Sequence, residues 1–199
     1  MSSYGVPTNV ASALPHSARP TRAELAAARG RTIGDILAPD LRVLFCGINP
    51  GLYSGATGWH FARPGNRFWK VLHLAGFTDR VLHPSEQGLL PHSGLGVTNL
   101  VRRTTAVADE LTPDELRAGG ERVRALVREW RPAWLAVVGI SAYRVAFDDR
   151  RAMIGRQALT IGATGVWVLP NTSGLNANYQ LPALVAAYAE LRAAAFPTA

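Results

Sequence analysis

Residues 43–55 read VLFCGINPGLYSG. The first five residues suit a strand buried on both faces, and the run then breaks off into Gly47, Ile48, Asn49, Pro50 and Gly51. A continuous apolar strand of this kind belongs in a parallel sheet covered by helices on both sides. The rest of the chain alternates as such a sheet requires. NRFWKVLHLAGF (66–77) reads as a helix capped by Asn66, reached through a long loop, and GVTNLV (96–101) as a short strand. LTPDELRAGGERVRALVREW (111–130) is a helix with Thr112 as cap and Pro113 in its first turn, and Gly119 and Gly120 weaken its middle. AWLAVVG (133–139) is a second buried strand, SAYRVAF (141–147) a helix, ALTIGATGVWVLP (158–170) a hairpin or strand pair, and LPALVAAYAELRAAA (181–195) a closing helix. The expected fold is a three-layer α/β/α sandwich with a central, mostly parallel sheet. Ligands of such folds bind beyond the carboxyl ends of the strands. GINPG and PNTSGLN (170–176) both end strands, so the fold would bring them to one rim.

A chain of 199 residues with 48% hydrophobic residues can bury one substantial core. We expect one domain over residues 21–199, preceded by a flexible arm over residues 1–20 that is rich in Ser, Pro and Ala. TRAELAAARG (21–30) opens the domain as a short helix, with Thr21 as cap, Glu24 three positions on and Gly30 as stop. No run of about twenty apolar residues and no secretory leader pattern occurs, so a cytoplasmic protein without membrane contact is expected. Cys46 is the single cysteine, which excludes an intrachain disulfide, and its apolar surroundings read as core. The 21 basic residues exceed the 14 acidic ones by 7, and the pI is near 10.5. That balance suits a polyanionic partner. Every basic residue except Lys70 is arginine, so an arginine-rich coding bias would give the same excess.

Gly47 and Gly51, on either side of Asn49, let the backbone come close to a ligand, and Pro50 stiffens the turn. The result is a rigid, exposed amide. The same residues also make an ordinary strand-to-loop turn. Neither G-x-x-x-x-G-K-[ST] nor G-x-G-x-x-G occurs, which argues against a phosphate cradle. His16, His60, His73, His83 and His92 form no metal-ligand spacing with Cys46.

Together with FARPGNRFWKVL (61–72), AGFTDR (75–80), GVTNLV and WVLPNTSGLN (167–176), the VLFCGINPGL stretch resembles the mismatch-specific uracil/thymine-DNA glycosylase family, a branch of the uracil-DNA glycosylase superfamily. The resemblance implies a monofunctional, monomeric enzyme of base excision repair. It would hydrolyse the N-glycosidic bond of uracil mispaired with guanine in double-stranded DNA, by base flipping, with no metal and no cofactor. Asn49 maps to the residue that positions the water, and Phe61 to the ring that stacks on the extruded base. Backbone N–H groups near Ile48 and Phe61 would meet the base carbonyls. Ser54 would lie near C5 and disfavour the thymine methyl. Asn171, Ser173, Gly174, Leu175 and Asn176 match the motif that enters DNA, with Leu175 as the wedge and Asn171 bracing the loop or touching phosphate. Three positions depart from the family. Thr172 replaces a frequent proline and should loosen the loop, Ala177 replaces an arginine, and Asn99 stands where relatives have lysine or an acidic residue and should tune activity. His60 reads as a rim or packing residue, because the most active branch of the superfamily carries its histidine in the second motif.

The chemistry can be weighed separately. Cleaving an N-glycosidic bond passes through a cation-like sugar and a departing base anion, so a placed water and donors aimed at the base are needed. Sugar hydrolases use two carboxylates, yet neither GINPG nor PNTSGLN contains Asp or Glu. An amide cannot take up a proton efficiently, so the reaction depends on a good leaving group, and uracil is one because its anion is delocalised. Hypoxanthine and ethenocytosine are alternative substrates. A catalytically weak lesion-binding protein and a nucleoside hydrolase without need of a wedge are the rival classes.

Overall fold

In the computed structural model, which describes residues 19–197, the VLFCG run becomes β1 (Val43–Gly47), buried along its whole length. The N-terminal arm expected from the sequence lies, apart from Arg19 and Pro20, outside the described residues. β1 pairs in parallel with β2 (Leu95–Asn99) on one side and β3 (Trp134–Val138) on the other. Beyond β3 the sheet continues through β5 (Thr164–Leu169), again parallel, and ends at β4 (Gly155–Ile161), the antiparallel hairpin partner of β5. The order β2-β1-β3-β5-β4 makes the mostly parallel sheet that the apolar strands imply.

Side chains alternate along each strand, so β1 feeds two cores. Val43 and Phe45 pack with α3 (Phe68–Leu74) and α6 (Leu181–Ala195) through Phe68, Leu72, Leu184 and Tyr188. Leu44 and Cys46 pack on the opposite face with α4 (Pro113–Trp130) and α5 (Ile140–Ala146) through Val123, Val127 and Tyr143. Each such side chain contributes about 1.5–3 kcal/mol on full burial. Cys46 is free and buried, and burial pushes its thiol far above the ordinary range, so it is a core residue and not a nucleophile.

Capping boxes start two helices where the sequence places them. Thr21 and Glu24 exchange side-chain and backbone hydrogen bonds at α1 (Arg22–Ala27), and Thr112 and Glu115 do so at α4. Gly119 and Gly120 do not weaken α4, because both are close-approach positions. A Cβ on Gly119 would lie 2.5 Å from the Leu100 carbonyl oxygen, and one on Gly120 would lie 2.1 Å from that of Ala146. The long loop expected after β1 contains a further helix, α2 (Leu52–Thr57), followed by Gly58 in the left-handed region. Its six residues, LYSGAT, are too few and too polar to display a helical apolar period. α3 begins at Phe68, and Asn66 still caps it by accepting the Phe68 N–H at 3.0 Å. Short 3-10 segments at Pro84–Ser93 and Ala108–Glu110 complete the connections. Among the described residues no helix is long and apolar enough to cross a membrane.

Candidate active site

Both strand-ending loops reach one rim of the sheet, where a cleft of about 330 Å³ opens. Ile48, Asn49, Ser54, Phe61, Asn99, Asn171, Ser173 and Leu175 line it, whereas Gly174 and Asn176 do not.

Asn49 is held in one orientation. Its Nδ2 lies 3.2 Å from the Pro50 carbonyl, 3.1 Å from the Arg103 carbonyl and 2.7 Å from Thr105 Oγ1. Thr105 Oγ1 gives its own proton to the Val107 carbonyl at 2.8 Å, so it faces Asn49 as an acceptor. All three neighbours are acceptors and only the NH2 end of the amide can donate, sharing its two N–H bonds among them, so the flip is fixed by the network. Oδ1 has no partner among the described residues and is the end left for a ligand. The supporting segment is itself anchored: the Thr105 N–H donates to the Pro50 carbonyl at 3.1 Å, and the Arg103 guanidinium grips Glu115, the capping residue of α4. The hydrogen bonds from Arg103, with that from the Thr112 N–H, hold the Glu115 carboxyl down at about 2.

Phe61 stands across the cleft in an unusual backbone conformation, φ +52°. The left-handed region costs a non-glycine residue about 1–2 kcal/mol. Neighbours hold it there. The Phe61 ring stacks on Phe68, with centroids 3.9 Å apart and planes 19° from parallel. Buried Ser54, on α2, accepts the Ala62 N–H at 3.3 Å, and the His60 carbonyl accepts from Trp69 Nε1 at 3.1 Å. The ring is therefore set before any ligand arrives.

His60 is 1% exposed and joins the floor of the cleft. Its Nε2 donates to the Gly34 carbonyl at 2.8 Å, which leaves Nδ1 as the acceptor for Asn99 Nδ2 at 3.3 Å. Burial lowers the imidazole pKa below its ordinary value and so favours the neutral ring that this arrangement requires. With Nδ2 turned to His60, Asn99 Oδ1 points toward Gly47, where an added Cβ would lie 2.5 Å from it.

The 171–176 loop is compact. Asn171 Oδ1 accepts the Ser173 N–H at 2.9 Å, its carbonyl accepts from Asn176 Nδ2 at 2.8 Å, and Leu175 projects from the loop, 71% exposed. Arg67 braces this loop, a role that nothing in the sequence signals. Its guanidinium donates to the carbonyls of Tyr179 at 2.6 Å, Ser173 at 2.7 Å, and Thr172 and Asn176 at 3.3 Å each. Thr172 corrects an expectation: it is fully buried, and its hydroxyl donates to Asn66 Oδ1 at 2.9 Å, a bond that proline could not make. The loop is tightened here and not loosened. Ala177 is exposed beside it.

Asp109, exposed in the segment after β2, also lines the cleft, so a carboxylate does reach the rim, though from neither of the two loops. No lysine lines it; Lys70 lies elsewhere. Among the described residues no three His, Cys, Asp or Glu come together as metal ligands.

A mostly parallel α/β sheet whose rim presents a fixed aromatic face and an oriented amide acceptor has the chemistry to meet a flat, polar heterocycle. A family model for the Uracil DNA glycosylase superfamily matches residues 35–192, and the chain belongs to that superfamily. It is accordingly a DNA glycosylase, a hydrolase of base excision repair that acts on uracil-like lesions.

Proposed function

We propose that the chain is a mismatch-specific uracil-DNA glycosylase, monofunctional and preferring uracil opposite guanine in duplex DNA. The observation that carries this reading is the fixed amide of Asn49, whose Nδ2 is committed to three acceptors and whose Oδ1 is free at the cleft wall. Oδ1 accepts a hydrogen bond from the attacking water and so turns the water's lone pair toward C1′ of the flipped nucleotide. The base stacks on Phe61, and backbone N–H groups near Ile48 and Phe61 meet its carbonyls as negative charge grows there. Preorganised donors and acceptors of this kind stabilise the transition state without reorganisation. Ser54 stands near C5 and disfavours a methyl group. Leu175 enters the vacated stack, where an apolar wedge offsets part of the few kcal/mol that unstacking costs. With no lysine amine on the cleft, the reaction ends at base hydrolysis and does not go on through a Schiff base.

Single-turnover base release from matched duplexes carrying uracil opposite guanine, uracil opposite adenine and thymine opposite guanine tests this. The expected order is as written, fastest first. Asn49→Ala should lower the rate about 10²–10³-fold with DNA affinity kept, as when one preorganised polar group is removed, and Asp109→Asn should leave the rate nearly unchanged. A large loss in Asp109→Asn with little in Asn49→Ala would move the water-placing role to the carboxylate.

A further inference from the structure

A second cleft, of about 600 Å³, borders the first through Phe61, Arg63 and Asn66, which line both. Arg19, Arg63 and Lys70 carry its charge, and no Asp or Glu lines it. All three cations are exposed, and among the described residues none of them pairs with a carboxylate. The first cleft is therefore unevenly charged at its two sides. Arg63 stands on the Phe61 side, and Asp109 on the side where Thr105 holds Asn49. The loop that carries Arg63 also presses on the Leu175 loop: a Cβ on Gly174 would lie 2.7 Å from the Gly65 carbonyl oxygen. A nucleotide that enters the first cleft stays tied to its own strand, so the phosphates on either side of it must cross the mouth. On one side they meet a carboxylate, and on the other a wall of free cations that runs on into the second cleft. Opposite charges decide between the two. Phosphates lie on the outside of a duplex, so they can reach this wall while the neighbouring bases stay paired.

We propose that this wall holds the backbone of the lesion-bearing strand of duplex DNA on one flank only of the extruded nucleotide, with Arg63 at the nearer phosphate and Lys70 at the next one outward. The proposal rests on the glycosylase reading of the first cleft. Phosphate contacts fix register and orientation and carry no sequence information. Here they set the point along the strand at which Leu175 and the base cleft come to bear.

The test uses duplexes with a central 2′-fluorinated, uncleavable uracil nucleotide opposite guanine, each carrying one neutral methylphosphonate at a chosen position in either strand. For the full chain, neutralising a phosphate that Arg63 or Lys70 holds should weaken binding about tenfold, as the loss of one charged hydrogen bond does. Those positions should fall on a single flank of the lesion-bearing strand. In Arg63→Gln the nearer position should cost nothing further, and in Lys70→Gln the outer one, while every position in the complementary strand costs the same as in the native chain. The log–log salt slope should shrink by about 0.9 in each variant. Both side chains are exposed, so the variants keep their fold, which thermal melts check. Losses that simply add at every position would overturn the proposal, as would coupling of either residue to the complementary strand or to both flanks alike. If base release from cleavable duplexes fails while the one-sided coupling persists, the glycosylase reading falls and the backbone site stands. If release succeeds without the coupling, the backbone site alone is lost.

Discussion

Replacing Arg67 with Gln should detach the Leu175 loop from the body of the site. In the structure the guanidinium donates to four carbonyls, two of them at 2.6 and 2.7 Å and two at 3.3 Å. Hydrogen bonds to a charged group contribute about 1.5–3 kcal/mol each when the geometry is good. The two short bonds count nearly in full and the two long ones little. Arg67 is half-buried, so water can partly replace it at the carbonyls, and a net loss of about 3 kcal/mol is a fair central figure. At 1.4 kcal/mol per factor of ten, the ordered form of the loop loses roughly a hundredfold in relative population. The loop takes most of this loss, because the four carbonyls all belong to residues 172–179 and none to the sheet or to the helices that cover it. Single-turnover release from duplex DNA should therefore fall up to a hundredfold while release from single strands changes less than threefold. Amide hydrogen exchange should speed up over residues 172–179 and stay unchanged in β1 and β3. Arg67→Lys should recover only part of the loss, since one ammonium cannot span carbonyls that a planar fork reaches. An equal loss on duplex and single strand, or unchanged exchange in the loop, would refute the reasoning.

Leu175→Ala removes a side chain that is 71% exposed, so stability should change by no more than about 0.5 kcal/mol while duplex release drops and single-strand release does not; thermal melts and paired assays check both halves. Gly47→Ala forces a Cβ to within 2.5 Å of Asn99 Oδ1 and 3.3 Å of Phe61 Cζ. We expect a loss of about 1–3 kcal/mol by overpacking, with weakened binding of the base, read from denaturant melts and from KM. His60 sets a pH dependence. Its folded pKa is lowered, so the unfolded chain binds more protons as pH drops below about 6.5, and the stability held in full above that value is lost down to the folded pKa. Melts of the native chain should fall over that interval more steeply than those of His60→Gln. Glu86 and Glu115, both held at about 2, lose their contribution only at lower pH, as it falls from about 4.5.

The layers of the fold were legible because they rest on local signals. VLFCG, AWLAVVG and VWVL carry unbroken apolar runs, Thr21 with Glu24 marks one helix start, and Thr112 with Pro113 marks another. α2 was not legible, being short and fixed by packing rather than by period. Gly119 and Gly120 looked like defects because a sequence does not reveal the Leu100 and Ala146 backbones pressing on them. At the site, the motifs brought out Ile48, Asn49, Ser54, Phe61, Asn99, Asn171, Ser173 and Leu175, which line the cleft, along with Gly174 and Asn176, which do not. They did not reveal the contacts that hold these residues in place, because Thr105, Arg67 and the hydrogen bond between Asn99 and His60 join segments far apart in the chain. The carboxylate Asp109 escaped notice for the same reason: its segment follows β2 and reaches the rim only through tertiary structure.

The single thiol of this chain is sealed in the core beneath the sheet, with its ionisation suppressed by burial. Toward alkylating reagents the folded protein therefore behaves as if it had no cysteine at all. A cysteine placed at exposed position 175 would be the one site a maleimide dye can reach, with no background to remove. The molecule thus comes ready for optical measurement: a fluorophore at the tip of the rim loop would follow each encounter with DNA in real time, one molecule at a time.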